Sequence, residues 1–221
     1  MIVINIVLVP IHPAGWPFIG LFAAVAFALF FVAAPLGWIG IVLTAWCTYF
    51  FRNPARVTPE GDGFVIAPAD GVVLPLGMAP PPPELEMGDE PLQRICIFMN
   101  VFNVHVNRIP LKGTIERLAY IPGRFFNASL DKASKYNERM AVRLKTSAGD
   151  IAVVQIAGLV ARRIKCDLVE GQEVQAGEVF GLIRFGSRVD VYLPPGFSPR
   201  VLAGQISIAG ESIIADSGKQ E

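Results

Sequence analysis

Charge is missing from the start of this 221-residue chain: residues 1–51 contain no Lys, Arg, Asp or Glu. Beyond that point charges come regularly, and 19 basic residues balance 19 acidic ones. A neutral chain lacks the clustered Lys and Arg of a nucleic-acid-binding domain, so no nucleic-acid partner is expected. Cysteine is scarce, with Cys47, Cys96 and Cys166 each in an apolar segment. An odd number without metal-ligand spacing argues against a disulfide framework and a zinc site, and no metal is expected. The three read as small buried hydrophobes. Histidine is scarcer still, with only His12 and His105.

What fills the uncharged stretch is apolar. One run extends from Trp16 to Ala34 and another from Leu36 to Phe51, with Pro35 and Gly37 dividing them. A single straight helix through both would be roughly 50 Å long, against a hydrocarbon core of about 30 Å. Proline disrupts a helix interior, so two helices with a break near Pro35 and Gly37 fit better. Each is near or slightly under spanning length, which leaves a spanning pair and a shallow re-entrant hairpin both open. A cleaved signal peptide would need a basic n-region and a shorter apolar run. A buried core pair does not account for the total absence of charge. Residues 1–51 are read as a hydrophobic membrane anchor, a helical hairpin, and 52–221 as a separate domain. Arg52 and Arg56 directly follow the second run, and the positive-inside bias puts that domain on the cytoplasmic side of a cell membrane.

Past Arg52 the pattern shortens. Segments 95–99, 113–120, 141–145, 151–156, 160–166 and 179–185 read as strands bounded by glycine and proline. Val142, Leu144 and Val153 recur at period two, as a half-buried strand requires. Only 130–139 looks helical, and Pro80-Pro-Pro-Pro83 marks a loop. The class is mostly β (α+β), a sandwich- or barrel-like domain. Its glycine rhythm at 169–181 is similar to that of biotinyl and lipoyl carrier folds. Asp131-Lys132-Ala133 matches a lipoyl attachment tripeptide, but three residues are a weak signal and Lys132 sits in a helix-like run.

Taken alone, Gly186-Ser187 is a turn dipeptide. Its surroundings, Arg184-Phe-Gly-Ser-Arg-Val-Asp-Val-Tyr-Leu-Pro194, strongly resemble the self-cleavage site of short-form phosphatidylserine decarboxylases. Four more stretches resemble the same family in the same order. They are Phe51-Arg-Asn-Pro-Ala-Arg56, Ala67-Pro-Ala-Asp-Gly71, Phe102-Asn-Val-His-Val-Asn-Arg-Ile-Pro110 and Gly123-Arg-Phe-Phe-Asn-Ala-Ser-Leu-Asp-Lys-Ala-Ser-Lys-Tyr-Asn-Glu-Arg139. The resemblance covers nearly the whole chain, apolar leader included.

That resemblance implies that the Ser187 hydroxyl attacks the Gly186 carbonyl and turns an amide into an ester. Elimination and hydrolysis then leave a pyruvoyl group, a covalent cofactor derived from Ser187. The two products, 1–186 (beta chain) and 187–221 (alpha chain), remain together as a heterodimer. The residue types suit the chemistry. Glycine before the serine offers an unhindered backbone, and a serine hydroxyl is a weak nucleophile that needs a base. His12 lies in the apolar leader, so His105 is the candidate histidine, and Asp70 matches the family aspartate that pairs with it. Asp70-Gly71 also reads as a hairpin turn, and His105 also reads as a satisfied core histidine. Longer members carry two histidines in the stretch matching 102–110. Here Arg108 stands in the second position and does not act as a base at neutral pH. His105 aligns with the first, whereas self-cleavage is attributed mainly to the second, so the cleavage base is left unassigned.

The implied reaction is decarboxylation of phosphatidylserine to phosphatidylethanolamine through a Schiff base on the pyruvoyl group. Arg124, Lys132, Lys135, Arg139 and Arg188 are candidates to neutralise the lipid phosphate, though most also read as ordinary surface charge. A soluble pyruvoyl enzyme acting on a free amino acid is an alternative that the uncharged leader argues against. The sequence leaves open a homo-oligomer, the acyl-chain preference and the use of a related serine-headgroup lipid.

Overall fold

The alternation at 141–156 closes into a hairpin. Strands Arg139–Thr146 and Gly149–Ala157 pair from Thr146 opposite Gly149 back to Arg139 opposite Ile156. Gly149 turns the chain at φ +116°, a conformation that glycine adopts without a Cβ penalty. A computed structural model of the chain describes residues 9–61, 63–129, 133–158, 163–184 and 186–218. It divides into two units, Met1–Ala55 and Arg56–Glu221.

In the first unit, α1 (Trp16–Phe30) and α2 (Ala34–Phe50) lie side by side. They part at 31–33, slightly ahead of the expected break. Pro35 falls in the first turn of α2, where its missing N–H is no loss. Gly37 is inside the helix, and its bare Cα accommodates the Phe30 ring. A Cβ there would stand 2.3 Å from that ring. Gly40 meets Ala26 in the same way. The base of the hairpin is tied by His12 N–H donating to Phe51 O at 2.8 Å and Asn53 N–H donating to Pro10 O at 2.7 Å. His12 caps a short 3-10 turn through Nδ1. The segment Pro13–Phe30 is long and apolar enough to cross a membrane by length and composition. Trp16, Phe27, Phe31 and Trp38 project outward.

The second unit is built from short strands. In chain order they are β1 (Phe64–Ile66), β2 (Gly71–Val73), β3 (Gly77–Ala79), β4 (Leu92–Met99), β5 (Val106–Arg108), β6 (Gly113–Ile121), β7 (Arg139–Thr146) and β8 (Gly149–Ala157). There follow β9 (Ile164–Cys166), β10 (Glu173–Val174), β11 (Val179–Ile183), β12 (Ser187–Leu193), β13 (Ser198–Pro199), β14 (Ile206–Ser207) and β15 (Ile213–Asp216). A nine-stranded sheet runs β10-β6-β7-β8-β12-β4-β2-β14, with β3 also on β4. Smaller sheets are β5-β11-β9 and β1-β15-β13. The mostly β class is as expected, with open sheets rather than a closed barrel. Of the expected helix at 130–139, residues 130–132 lie outside the described residues, Ala133–Tyr136 form α3, and Arg139 already belongs to β7.

One apolar cluster joins Val189, Val191 and Leu193 of β12, Ile95 and Ile97 of β4, and Phe180 and Ile183 of β11. At roughly 1.5–3 kcal/mol for each fully buried aliphatic or aromatic side chain, this cluster is the main stabilising element of the unit. A smaller cluster on the opposite face of the large sheet contains Tyr192, Val154, Ile156 and Leu85.

Candidate active site

β12 lies inside the large sheet, antiparallel to β4 on one side and β8 on the other. Every one of its seven residues is buried. Alternation sends Ser187, Val189 and Val191 toward the main core and Arg188, Asp190 and Tyr192 toward the smaller cluster. Ser187 opens the strand opposite Met99 and Ala157. Its hydroxyl is buried and donates to the Met99 thioether at 3.9 Å, a weak acceptor.

Gly186 precedes it at φ +71°, in the left-handed region that favours glycine. Its carbonyl oxygen passes over the bare Cα of Gly158, where a Cβ would come within 2.1 Å of that oxygen. Two glycines therefore let the chain turn tightly into β12. His105 is 1% exposed, and the Gly186 N–H donates to its Nε2 at 3.3 Å. Its Nδ1 lies 3.0 Å from Asn103 O, and since a carbonyl only accepts, Nδ1 carries the proton and Nε2 the lone pair. Asn103 is held by its own turn, in which Asn100 N–H donates to Asn103 Oδ1 at 2.8 Å. The ring thus arrives with its basic nitrogen at the amide preceding the Gly186-Ser187 bond.

Asp70 accepts from Arg56 at 2.8 Å and from the Ala209 amide at 2.8 Å. Arg108 donates to Gly177 O at 2.9 Å. Its pKa is lowered by burial and by the Arg56 charge. The position of the family's second histidine is therefore part of a charged cluster with Arg56, Asp70 and Glu211.

Arg188 is fully buried. Its Nε is 2.7 Å from Asp190 Oδ1, one terminal nitrogen donates to Asp190 Oδ2 at 2.9 Å, and the other donates to Ala128 O at 3.0 Å. Ser134 of α3 bonds both members of the pair. The guanidinium expected to meet a lipid phosphate is instead enclosed within the protein. Burial, together with the Asp190 charge, pushes the neighbouring Tyr192 hydroxyl up to about 12. It also pushes the Cys96 thiol well above its usual range. Removing one partner of such a pair leaves an uncompensated buried charge. Asp190→Ala should therefore destabilise the domain by about 3–5 kcal/mol in urea unfolding. A loss below about 1 kcal/mol, the range of an exposed pair, would mean that the pair is effectively solvated.

Among the other expected phosphate ligands, Arg124 is exposed and Arg139 bonds Glu84 at 2.6 Å. Lys132 and the side chain of Lys135 lie outside the described residues, as do Asp131 and Lys132 of the tripeptide. Sequence reading passed over Met99, Asn107, Gln155 and Gly158. Two signals were present. Asn107 is two residues from His105 and so shares its face of an extended segment. Gln155 is the one polar residue within the apolar run from Ile151 to Ala157.

A family model described as phosphatidylserine decarboxylase matches residues 43–215. The chain is also 62% identical over 213 residues to the phosphatidylserine decarboxylase proenzyme of Paramagnetospirillum magneticum. That match spans 96% of this chain and 89% of the relative.

Proposed function

The chain belongs to the phosphatidylserine decarboxylase family, and from that premise we propose that it matures by cutting itself between Gly186 and Ser187. It is a decarboxylase. Ser187 is the nucleophile and the source of a covalent pyruvoyl group, and phosphatidylserine is the substrate. The observation that carries this reading is the meeting of three features at one bond. A left-handed glycine and a buried serine hydroxyl on a weak acceptor flank that bond, and His105 Nε2 receives the N–H of the same glycine. The residues present fit the group. The Gly158 Cα leaves room at the Gly186 carbonyl, and the buried setting of residue 187 excludes bulk water from a reactive ketone.

The pyruvoyl group supplies an electron sink for the pair released as carbon dioxide departs. The chain's own residues do the rest. His105 holds a proton-accepting nitrogen at the cleavage segment and is the histidine available to return a proton to substrate carbon. After cleavage, 187–221 stays attached through pairing of β12 with β4 and β8, of β14 with β2, and of β15 with β1. The heterodimer of fragments thus needs no new contacts. The purified chain should give two masses that divide at residue 186, with carbon dioxide and phosphatidylethanolamine formed from phosphatidylserine. One undivided mass in active protein would overturn the reading.

The α1–α2 hairpin, placed in the cell membrane with the catalytic unit on the cytoplasmic face, would bring the site to a lipid that scarcely leaves the bilayer. A chain beginning at Arg52 should still split. Its activity on vesicle-borne substrate should drop about tenfold or more, because a tether raises local concentration by at least that factor. Activity on short-chain substrate in detergent should be retained. Unchanged activity on vesicles would assign the hairpin another role.

A further inference from the structure

The interior behind Ser187 is not purely apolar. Asn107 of β5 and Gln155 of β8 are both fully buried. Gln155 Nε2 donates to Asn107 Oδ1 at 2.9 Å, a bond between the large sheet and the β5-β11-β9 sheet. Asn107 Nδ2 lies 3.8 Å from Met99 Sδ, the same sulfur that receives the Ser187 hydroxyl at 3.9 Å. The remaining amide oxygen, Gln155 Oε1, is buried with no hydrogen-bond partner among the described residues. Register explains the convergence. Ser187 is opposite both Met99 and Ala157, and Gln155, two residues before Ala157, shares its face of β8.

Packing alone does not call for this arrangement. A buried amide oxygen without a donor is among the costlier defects in a protein interior, and such groups are uncommon without a functional reason. Aliphatic side chains would fill the same space without it. The Asn107 donor is likewise committed only to a thioether, a weak acceptor, and so is readily redirected. Both unfulfilled capacities belong to the chain of contacts that reaches Ser187 through the Met99 sulfur, and Ser187 is the residue that changes its chemistry most. When Ser187 Oγ bonds to the Gly186 carbonyl carbon, the C–N bond breaks and the hydroxyl proton passes to the residue 187 nitrogen, which becomes an amine with new N–H donors. Loss of the Cα proton then expels Oγ with the Gly186 carboxylate. Water replaces the nitrogen, which leaves as ammonia, and residue 187 ends with acceptors only.

We propose that the Asn107–Gln155 pair is the positioning element for residue 187 through this sequence, an inference that rests on the self-cleavage reading above. Asn107 Nδ2 steadies the oxygen of residue 187. Gln155 Nε2 fixes the orientation of Asn107, and Gln155 Oε1 accepts from the nitrogen once it becomes an amine. The pair directs the ester toward elimination rather than simple hydrolysis, which would return an ordinary serine amino terminus.

The test is the double variant Asn107→Leu/Gln155→Leu in the full-length chain, with splitting followed on denaturing gels and both fragments weighed intact. A purely structural pair predicts a variant that melts at or above the wild-type temperature and splits normally, since the orphaned oxygen is gone. Our proposal expects the same melting temperature with splitting slowed at least about tenfold, within the roughly hundredfold that an ångström of misplacement costs. It also expects a larger share of 187–221 fragments beginning with intact serine, heavier than the pyruvoyl form by the mass of ammonia. Wild-type splitting with the wild-type share of blocked termini would overturn it. If the double variant does not fold, Asn107→Asp keeps the shape while removing the donor, and the same slowing or its absence decides the matter. Failure of the wild-type chain to split between Gly186 and Ser187 would instead remove the underlying reading.

Discussion

A Ser187→Ala chain should remain a single 23.9 kDa band and release no carbon dioxide from phosphatidylserine. The substitution removes one oxygen that has two duties, nucleophile in cleavage and precursor of the electron-accepting carbonyl. The effect on both should therefore be complete rather than graded. The fold should survive. Ser187 contributes only a long bond to the Met99 sulfur, and Ala157 already occupies the paired position on β8. Stability should shift by no more than about 1 kcal/mol, since no strong hydrogen bond is lost and alanine leaves little void. A cooperative melt together with an intact chain is the expected pair of results. Splitting after residue 186 in this variant would exclude Ser187 as the nucleophile.

His105→Ala should slow splitting by about a hundredfold or more, the usual contribution of a positioned base, and should depress turnover per split molecule as well. The resemblance to longer members of the family leaves the cleavage base open, because Arg108 stands where their second histidine is expected. Of the two candidates, His105 is the one that touches the segment to be cut. Its lone pair receives the Gly186 amide, while Asp70 is bonded to Arg56 and Ala209. Added imidazole should restore part of the splitting rate if the missing function is a base rather than a packing contact. The measurement is fragment yield against time, with decarboxylation normalised to split chains. Normal values for both would reduce His105 to a core residue.

Strands β4, β6, β7 and β8 were readable because half-buried β structure leaves a period-two trace and glycine marks its turns. β12 was not. Arg188 and Asp190 look like the solvent side of an edge strand, and only tertiary packing reveals that they neutralise each other inside the protein. The same packing withdraws Arg188 from any surface that a phosphate group approaches. Gly37 shows the reverse error at smaller scale. In the sequence it reads as part of a break, but its bare Cα serves the approach of one helix to another. Pairing across elements leaves no trace in local composition.

Local order along the chain by itself determined the uncharged leader, the mostly β domain, the family resemblance around Gly186-Ser187 and the scarcity of histidine. Each of these depends on residue identity and spacing within a short segment. Only the tertiary structure decided that the Gly186 amide meets His105, that Gly158 makes room at the Gly186 carbonyl, and that Gln155 bonds Asn107, which shares the Met99 sulfur with Ser187. Those contacts join residues from 8 to 88 positions apart in the chain, and they exist because sheet register sets which side chains share a face. One residue of slip would send Ser187 to the opposite side of the sheet.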